Sequence, residues 1–526
     1  MKHLHTIIFI GLSFVLCEVI SAQSITTEHN NLSVATSPNG VLFHQTETTT
    51  AGLRHTTENT GLIFASGLWL TAVKSTGQLA TSTATYKSDF SPGTTNWDSR
   101  DSLSTMTTIT SNAIDSHKED YSNFGYIVPK TIRDWPTHIT NNDGSITHAA
   151  PFTDLNNNEL YEPELGEYPD IIGNTFTYII LNDTRGTRFD SEGEPIGVDV
   201  YISVFSWNIP TDDAISNTVY ANFKIINTST STYNNINKGL FLDFDLGNSN
   251  DDYVATDSTN NFVYTYNGDN DDDVTGGPSK GFGLNPPTFG AQVICGNLSS
   301  SFYYNIGGGP TGDVYTPNDY HNYLNSIWKD GTPLIANGDG FHTQGAATKY
   351  FFNGDPVTGT GWTEASAGNP PNDRRMLLGT SEGIEFKPGD VQNFTVAFSY
   401  ARDNAKNNVE NITTLRNTVG SIGRFLDSEK SSMSNYWSDN FSCQLVGVDE
   451  NISKSVSIHP NPTTDFLNIE NTKEYVSFKI LSIDGKTLTE GNTTESIDVR
   501  NLKPGIYHLQ LTKRNGSFSS TKFLKD

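Results

Sequence analysis

From Val41 onward the chain alternates short apolar runs with turns rich in Gly, Asn, Asp and Pro. The clearest runs are Gly61–Val73, Thr175–Leu181, Val198–Trp207, Val219–Asn227, Gly239–Asp245, Phe262–Tyr266, Phe289–Cys295 and Val391–Tyr400. Most are short and dominated by Val, Ile, Phe and Tyr, the signature of strands. No regular helical pattern separates successive runs, which favours antiparallel sandwiches over a parallel α/β sheet. One stretch departs from this. Between Asn404 and Trp437, the residues Val409, Ile412, Leu415, Val419, Ile422, Phe425 and Leu426 recur at helical spacing with no proline among them. This predicts one or two helices packed on the sandwich, with Gly420 and Gly423 weakening the middle.

The end of the chain has its own pattern. Ser455–His459, Phe466–Ile469, Val476–Ile483, Ser496–Val499 and Tyr507–Thr512 are alternating, β-branched and aromatic runs. Pro460-Asn461-Pro462, Asp484-Gly485 and Pro504-Gly505 are turn signals between them. The expected fold is therefore all-β: a large antiparallel β-sandwich body with a short helical segment near 404–437, then a small C-terminal immunoglobulin-like β-sandwich. A unit of about 70 residues is large enough to fold alone.

Charge marks the same boundary. The whole chain carries −26, whereas residues 451–526 hold ten Lys/Arg against eight Asp/Glu. The acidic body excludes nucleic acid as a partner, since phosphates would be repelled. It suits an extracellular setting in which carboxylates meet calcium. Charged residues make up only 17% of the chain, so Asn, Thr, Ser and Gly must cover much of the surface. Aromatics reach 11%, enough to build a core from few residues.

At the N-terminus, Lys2 precedes the apolar run Ile7–Leu16, and Ile20-Ser21-Ala22 stands before Gln23. That is the pattern of a secretory signal peptide over residues 1–22, too short to remain as a membrane span. Leu16 before Cys17 disfavours a lipoprotein site, which needs a small residue there. No later segment reads as an integral membrane helix. In an oxidising compartment Cys295 and Cys443 are free to form a disulfide; spacing does not show whether they meet.

Pro460-Asn461-Pro462, FKILSIDGKTL (478–488), IDVRNLKPGIYHLQL (497–511) and the closing KFLK (522–525) together resemble the type A C-terminal sorting domain of the type IX secretion system of Bacteroidota. The resemblance implies export across the outer membrane, with the type IX translocon and a sortase-like peptidase as partners. It divides the chain into a body over 23–443, a linker and cleavage region over 444–454, and a sorting domain over 455–526. Gly67-Leu68-Trp69-Leu70, Asp134-Trp135-Pro136, Ala150-Pro151-Phe152, the stretches 154–171 and 241–257, Tyr266-Asn267-Gly268-Asp269 and the segment 386–403 resemble large secreted proteins with the same tail. That second resemblance implies no activity.

Calcium is the expected ligand. Asp154, Asn156 and Asn158 place oxygen at alternate positions of a loop, the spacing that wraps a hard cation, and Glu162, Glu164, Glu167 and Asp170 follow as candidates to close the shell. Glu159 and Leu165 depart from the EF-hand pattern, so a different loop geometry is expected, and an ordinary Asx-turn loop has the same composition. The second candidate set is Asp243, Asp245, Asn248, Asn250, Asp251, Asp252 and Asp257. Asp243 and Asp245 alternate along a strand and so face the same way.

Other patterns carry less. Gly379-Thr380-Ser381-Glu382-Gly383 fits a nucleophile elbow by letters only, because a strand and turn follow where a helix is required. The histidines show no zinc spacing. Tyr303, Tyr304, Tyr320, Tyr323 and Trp328 offer aromatic faces suited to sugar rings, although such residues more often anchor a core. The sequence thus reads as a secreted or surface-anchored, calcium-stabilised protein with a binding, adhesion or structural role, with a glycan or other surface ligand as the expected partner class. No catalytic residue stands out; an extracellular hydrolase acting on polysaccharide or protein is the alternative.

Overall fold

The strands lie where alternation places them: Gly61–Val73 falls within the strand Thr60–Lys74, and Val391–Tyr400 within Val391–Ala401. These positions come from a computed structural model. It describes residues 24–440 and 458–525, apart from 47, 49, 98–104, 276–278, 382, 470, 471, 473, 474, 483–486, 495 and 514–517. The expected signal peptide, the region 444–454 and Cys443 lie outside the described residues; Cys295 is disulfide-bonded. The chain divides into two compact units, Met1–Val446 and Gly447–Asp526.

Two large antiparallel sheets build the first unit. The eight-stranded sheet runs in the order 25–28, 32–36, 53–55, 60–74, 233–244, 374–379 and 300–304, with 79–83 alongside 60–74. The nine-stranded sheet runs 252–257, 262–267, 288–295, 391–401, 218–227, 198–206, 175–182 and 91–92, with 106–110 alongside 175–182. Val200, Ile202 and Val204 of the second sheet share one apolar core with Leu68, Leu70, Leu240 and Leu242 of the first. This is sheet-on-sheet packing, in which side chains of the two inner faces fill a common layer.

The outer face of the nine-stranded sheet is aromatic rather than polar. Phe176, Tyr178, Tyr201, Phe205 and Tyr220 pack with Trp135, Ile422, Leu426 and Trp437. That cover explains why these strands read as continuous apolar runs: they are buried on both faces. The helical spacing resolves into one helix, Glu410–Glu429, a 3-10 turn Lys430–Ser432 and a short helix Asn435–Asn440. Gly420 and Gly423 do not break the long helix, because Ile412, Leu415, Val419, Ile422 and Leu426 anchor it from one side.

The second unit has a three-stranded sheet (458–459, 466–469, 496–498) and a four-stranded sheet (487–492, 475–482, 505–513, 518–525) around Leu467, Ile469, Ile480, Ile497, Leu509, Leu511 and Phe523. Asp484-Gly485 lies outside the described residues, but the strands flanking it pair antiparallel, Ile480 opposite Thr489. The His459–Pro460 and Asn461–Pro462 peptides are both cis.

Candidate functional site

The Asp154 loop closes on itself. Asp154 Oδ1 accepts the Asn157 N–H at 2.7 Å and Oδ2 the Glu159 N–H at 2.8 Å. Asn157 and Glu159 take left-handed backbone, with φ of 59° and 63°. Desolvation is the largest single influence and pushes the Asp154 pKa up, but the backbone amides of Glu159, Asn157, Asn158 and Asn156 together outweigh it and hold the carboxyl below its usual range. Glu162 Oε2 receives the side-chain amides of Asn156 at 3.0 Å and Asn158 at 2.7 Å. Asp154, Asn156, Asn158 and Glu162 are therefore brought together. Glu164 stands exposed in the 3-10 turn Pro163–Leu165 and has no place in this hydrogen-bonded ring. The buried Glu167 does the closing, accepting from Leu155 N–H at 3.2 Å and Glu162 N–H at 2.7 Å.

The acidic stretch 243–257 is not one cluster but three groups. The first joins Asp243 and Asp245 to Asp373, which sequence reasoning missed; one carboxylate oxygen from each lies within 4.8 Å of the others. Tyr86 donates its hydroxyl to Asp243 Oδ2 at 2.6 Å. Arg375 approaches Asp243 Oδ1 at 3.6 Å but binds Asp313 at 2.6 Å. Burial, then the neighbouring Asp373 charge, pushes Asp243 up to about 7. Burial and the Asp243 charge push Asp245 well above the carboxylate range.

The second group holds Asn248, Asp251 and Asp252 with Asp272. Asp272 accepts from Asn248 N–H at 3.0 Å and Phe282 N–H at 2.6 Å, and Asp252 Oδ2 accepts from Leu246 N–H at 3.1 Å. Burial raises Asp272 to about 7 and Asp251 to about 6. Asn250 is exposed, and only its backbone N–H joins this group, through Asn248. Asp257 stands apart at the other end of its strand, ion-paired to Arg416 at 3.1 Å and capping a turn at Asn260. Its role is therefore accounted for without a cation. The only sequence signal for Asp373 is its place beside two arginines in a chain short of basic residues.

The aromatic candidates are core residues: Tyr303, Tyr304, Tyr320, Tyr323 and Trp328 are all buried. They present no face to a sugar. A polar cleft of about 250 Å³ is lined by Asn235, Asn237, Ser300, Ser381 and Lys349, among other described residues. The stretch 379–383 begins at the end of the strand Arg374–Gly379, and a turn and the strand Val391–Ala401 follow it directly, where a nucleophile elbow requires a helix.

In the second unit the Pro-Asn-Pro turn and the last strand are bound together. Thr463 N–H donates to the Leu524 carbonyl at 2.9 Å, alongside two bonds through the Asn461 side chain.

Residues 457–526 match the family described as secretion system C-terminal sorting domain. This match marks the chain as cargo of the type IX system and supports an extracellular or cell-surface location. No helix among the described residues is long and apolar enough to cross a membrane. No curated protein matches the chain by sequence. Among solved structures, a polysaccharide lyase aligns with 96% of this chain at 7% identity and a TM-score of 0.27. The alignment spans 46% of that protein, less than half its length, and so loose a likeness carries no functional weight.

Proposed function

We propose that this chain is a secreted or surface-anchored protein of a Bacteroidota cell, with a binding, adhesion or structural role and acidic loops held by calcium. Its C-terminal unit engages the type IX translocon, and a sortase-like peptidase removes it within 444–454. The sorting-domain match at 457–526 carries the export half of this reading. We read calcium at Asp154, Asn156, Asn158 and Glu162 because these oxygen-bearing side chains lie together on one compact loop; their oxygens here accept loop and side-chain N–H groups that a bound cation would displace. A loop fixed in this way presents a pre-organised surface and loses less entropy on binding.

The described wall of the Asn235–Ser381 cleft offers amides, hydroxyls and Lys349, groups that recognise sugar hydroxyls or an acidic substituent, which suits a binding role.

Export is tested by truncation after Glu450. The shortened chain should stay in the cell while the intact chain reaches the medium or surface; equal export would end the reading. A glycan array run beside a reducing-sugar release assay tests the body: binding without release is expected, and release would transfer the protein to the hydrolases. EDTA should lower the melting temperature; an unchanged melt removes calcium.

A further inference from the structure

We infer that Asp243, Asp245 and Asp373 form a dedicated site for one hard divalent cation, calcium in this setting, that clamps the end of the Tyr233–Phe244 strand to the start of the Arg374–Gly379 strand. It deepens the calcium reading and rests on it, but its residues lie outside the Asp154 loop.

Register explains the convergence. Asp243 pairs with Arg375 and Phe244 with Arg374. Continuing that antiparallel register past the last ladder pair sets Asp245 opposite Asp373. Side chains two residues apart on a strand share a face, so Asp243, Asp245, Asp373 and Arg375 all project to one side. The observed carboxylate oxygens accordingly come within 4.8 Å of one another.

Three carboxylates this close need positive charge or protons, and the two nearby arginines divide their charge among several acids. Arg375 binds Asp313 at 2.6 Å and reaches Asp243 only at 3.6 Å. Arg374 binds Glu364 at 2.7 Å. Asp243, Asp245, Asp313, Glu364 and Asp373 thus face two guanidinium groups.

Hydrogen bonding points the same way. The Asp243 side chain is only 6% exposed, and while Tyr86 holds Oδ2, its Oδ1 has no hydrogen bond and only the 3.6 Å ion pair with Arg375 Nε, a donor that is itself buried and unbonded. Oδ1 of Asp373 is likewise buried with no donor. Buried acceptors are normally satisfied, and a cation answers several at once. Beside Asp245, the fully buried Asp252 has a third such oxygen. All the ligand atoms are oxygens with no His or Cys among them, the set that suits calcium over zinc or copper.

The test uses the mature full-length protein, stripped with EDTA and re-equilibrated with calcium chloride, reading bound calcium per chain and melting temperature. Asp373→Asn and Asp245→Asn should each bind one calcium fewer than wild type and lose part of the calcium-induced rise in melting temperature. In EDTA both should melt no lower than wild type, because removing a charge relieves repulsion among the remaining carboxylates. Asp154→Ala should keep this calcium. The site is refuted if both asparagine variants retain the full calcium count, or if they lower the melting temperature equally with and without calcium. If calcium disappears only in Asp154→Ala, the general calcium reading survives and this site does not. If wild type binds none, both fall.

Discussion

Leu524 donates its backbone N–H to Asn461 Oδ1 at 2.9 Å, tying the closing strand of the C-terminal unit to the Pro-Asn-Pro turn that opens it. Asn461 Nδ2 donates in turn to the Lys522 carbonyl at 3.2 Å. Two motifs that stand about 60 residues apart in the sequence are thus one structural feature, with a single side chain serving both.

Asn461→Ala removes both bonds and leaves the Leu524 N–H without its partner. Both residues are exposed, so water replaces the lost partner and the expected cost is about 0.5–1 kcal/mol, read by calorimetry of the full-length protein. Export efficiency, measured as the ratio of medium to cell-retained protein, should fall with it. A variant that keeps wild-type melting and export would show that the closure is dispensable.

Gly67→Ala should be costly although it adds one methyl. A Cβ at Gly67 would lie 2.1 Å from the Ala84 carbonyl oxygen, which is backbone and cannot rotate aside. The strand Thr60–Lys74 would have to shift from its neighbour or from the Ala84 turn. A loss of roughly 1–3 kcal/mol is expected in denaturant melts, as for other overpacked core sites. A loss below about 0.5 kcal/mol would mean the turn yields freely.

Much of this architecture was legible because two periodicities dominate the chain. Thr175–Leu181 and Val198–Trp207 were readable as strands from residue type alone, and Ile412 to Leu426 as a helix from spacing. The unbroken apolar run signals burial on both faces, but what covers Phe176, Tyr178 and Phe205 was not legible, because composition does not say which distant element lies on the second face. The candidate site was half legible. Asp243 and Asp245 announce themselves by alternation, but Asp373 arrives through strand pairing from far along the chain, and register is not written locally. The stretch 243–257 looked like one site because the sequence does not show how a turn and a strand carry Asp257 away from Asp245.

Arg374→Met should be among the most destabilising single changes in the body. Arg374 and Glu364 are paired at 2.7 Å with side chains 3% and 0% exposed, and Glu364 also accepts the Val254 N–H at 2.8 Å. Removing the guanidinium strands a buried carboxylate, at a cost of about 3–5 kcal/mol. Adding Glu364→Gln should recover part of that loss, because a neutral amide needs no counter-ion. A double variant no better than the single one would show that packing, not charge, sets the penalty.

Asp199 should make stability fall as pH rises from mildly acidic values. It is buried, and burial raises its pKa to about 6 against bonds from the Thr95 hydroxyl and N–H at 2.7 and 2.6 Å. The unfolded chain releases this proton near the ordinary value of 3.8, while the folded chain holds it up to about 6. Between those values the native state binds the extra proton, so this contribution is complete below the lower value and gone above the upper one. The size is about 3 kcal/mol at most. Asp199→Asn keeps an oxygen for both Thr95 donors but cannot ionise. It should therefore melt higher than wild type near pH 7 and about equally near pH 4, and a variant that tracks wild type across that range would place the buried proton elsewhere.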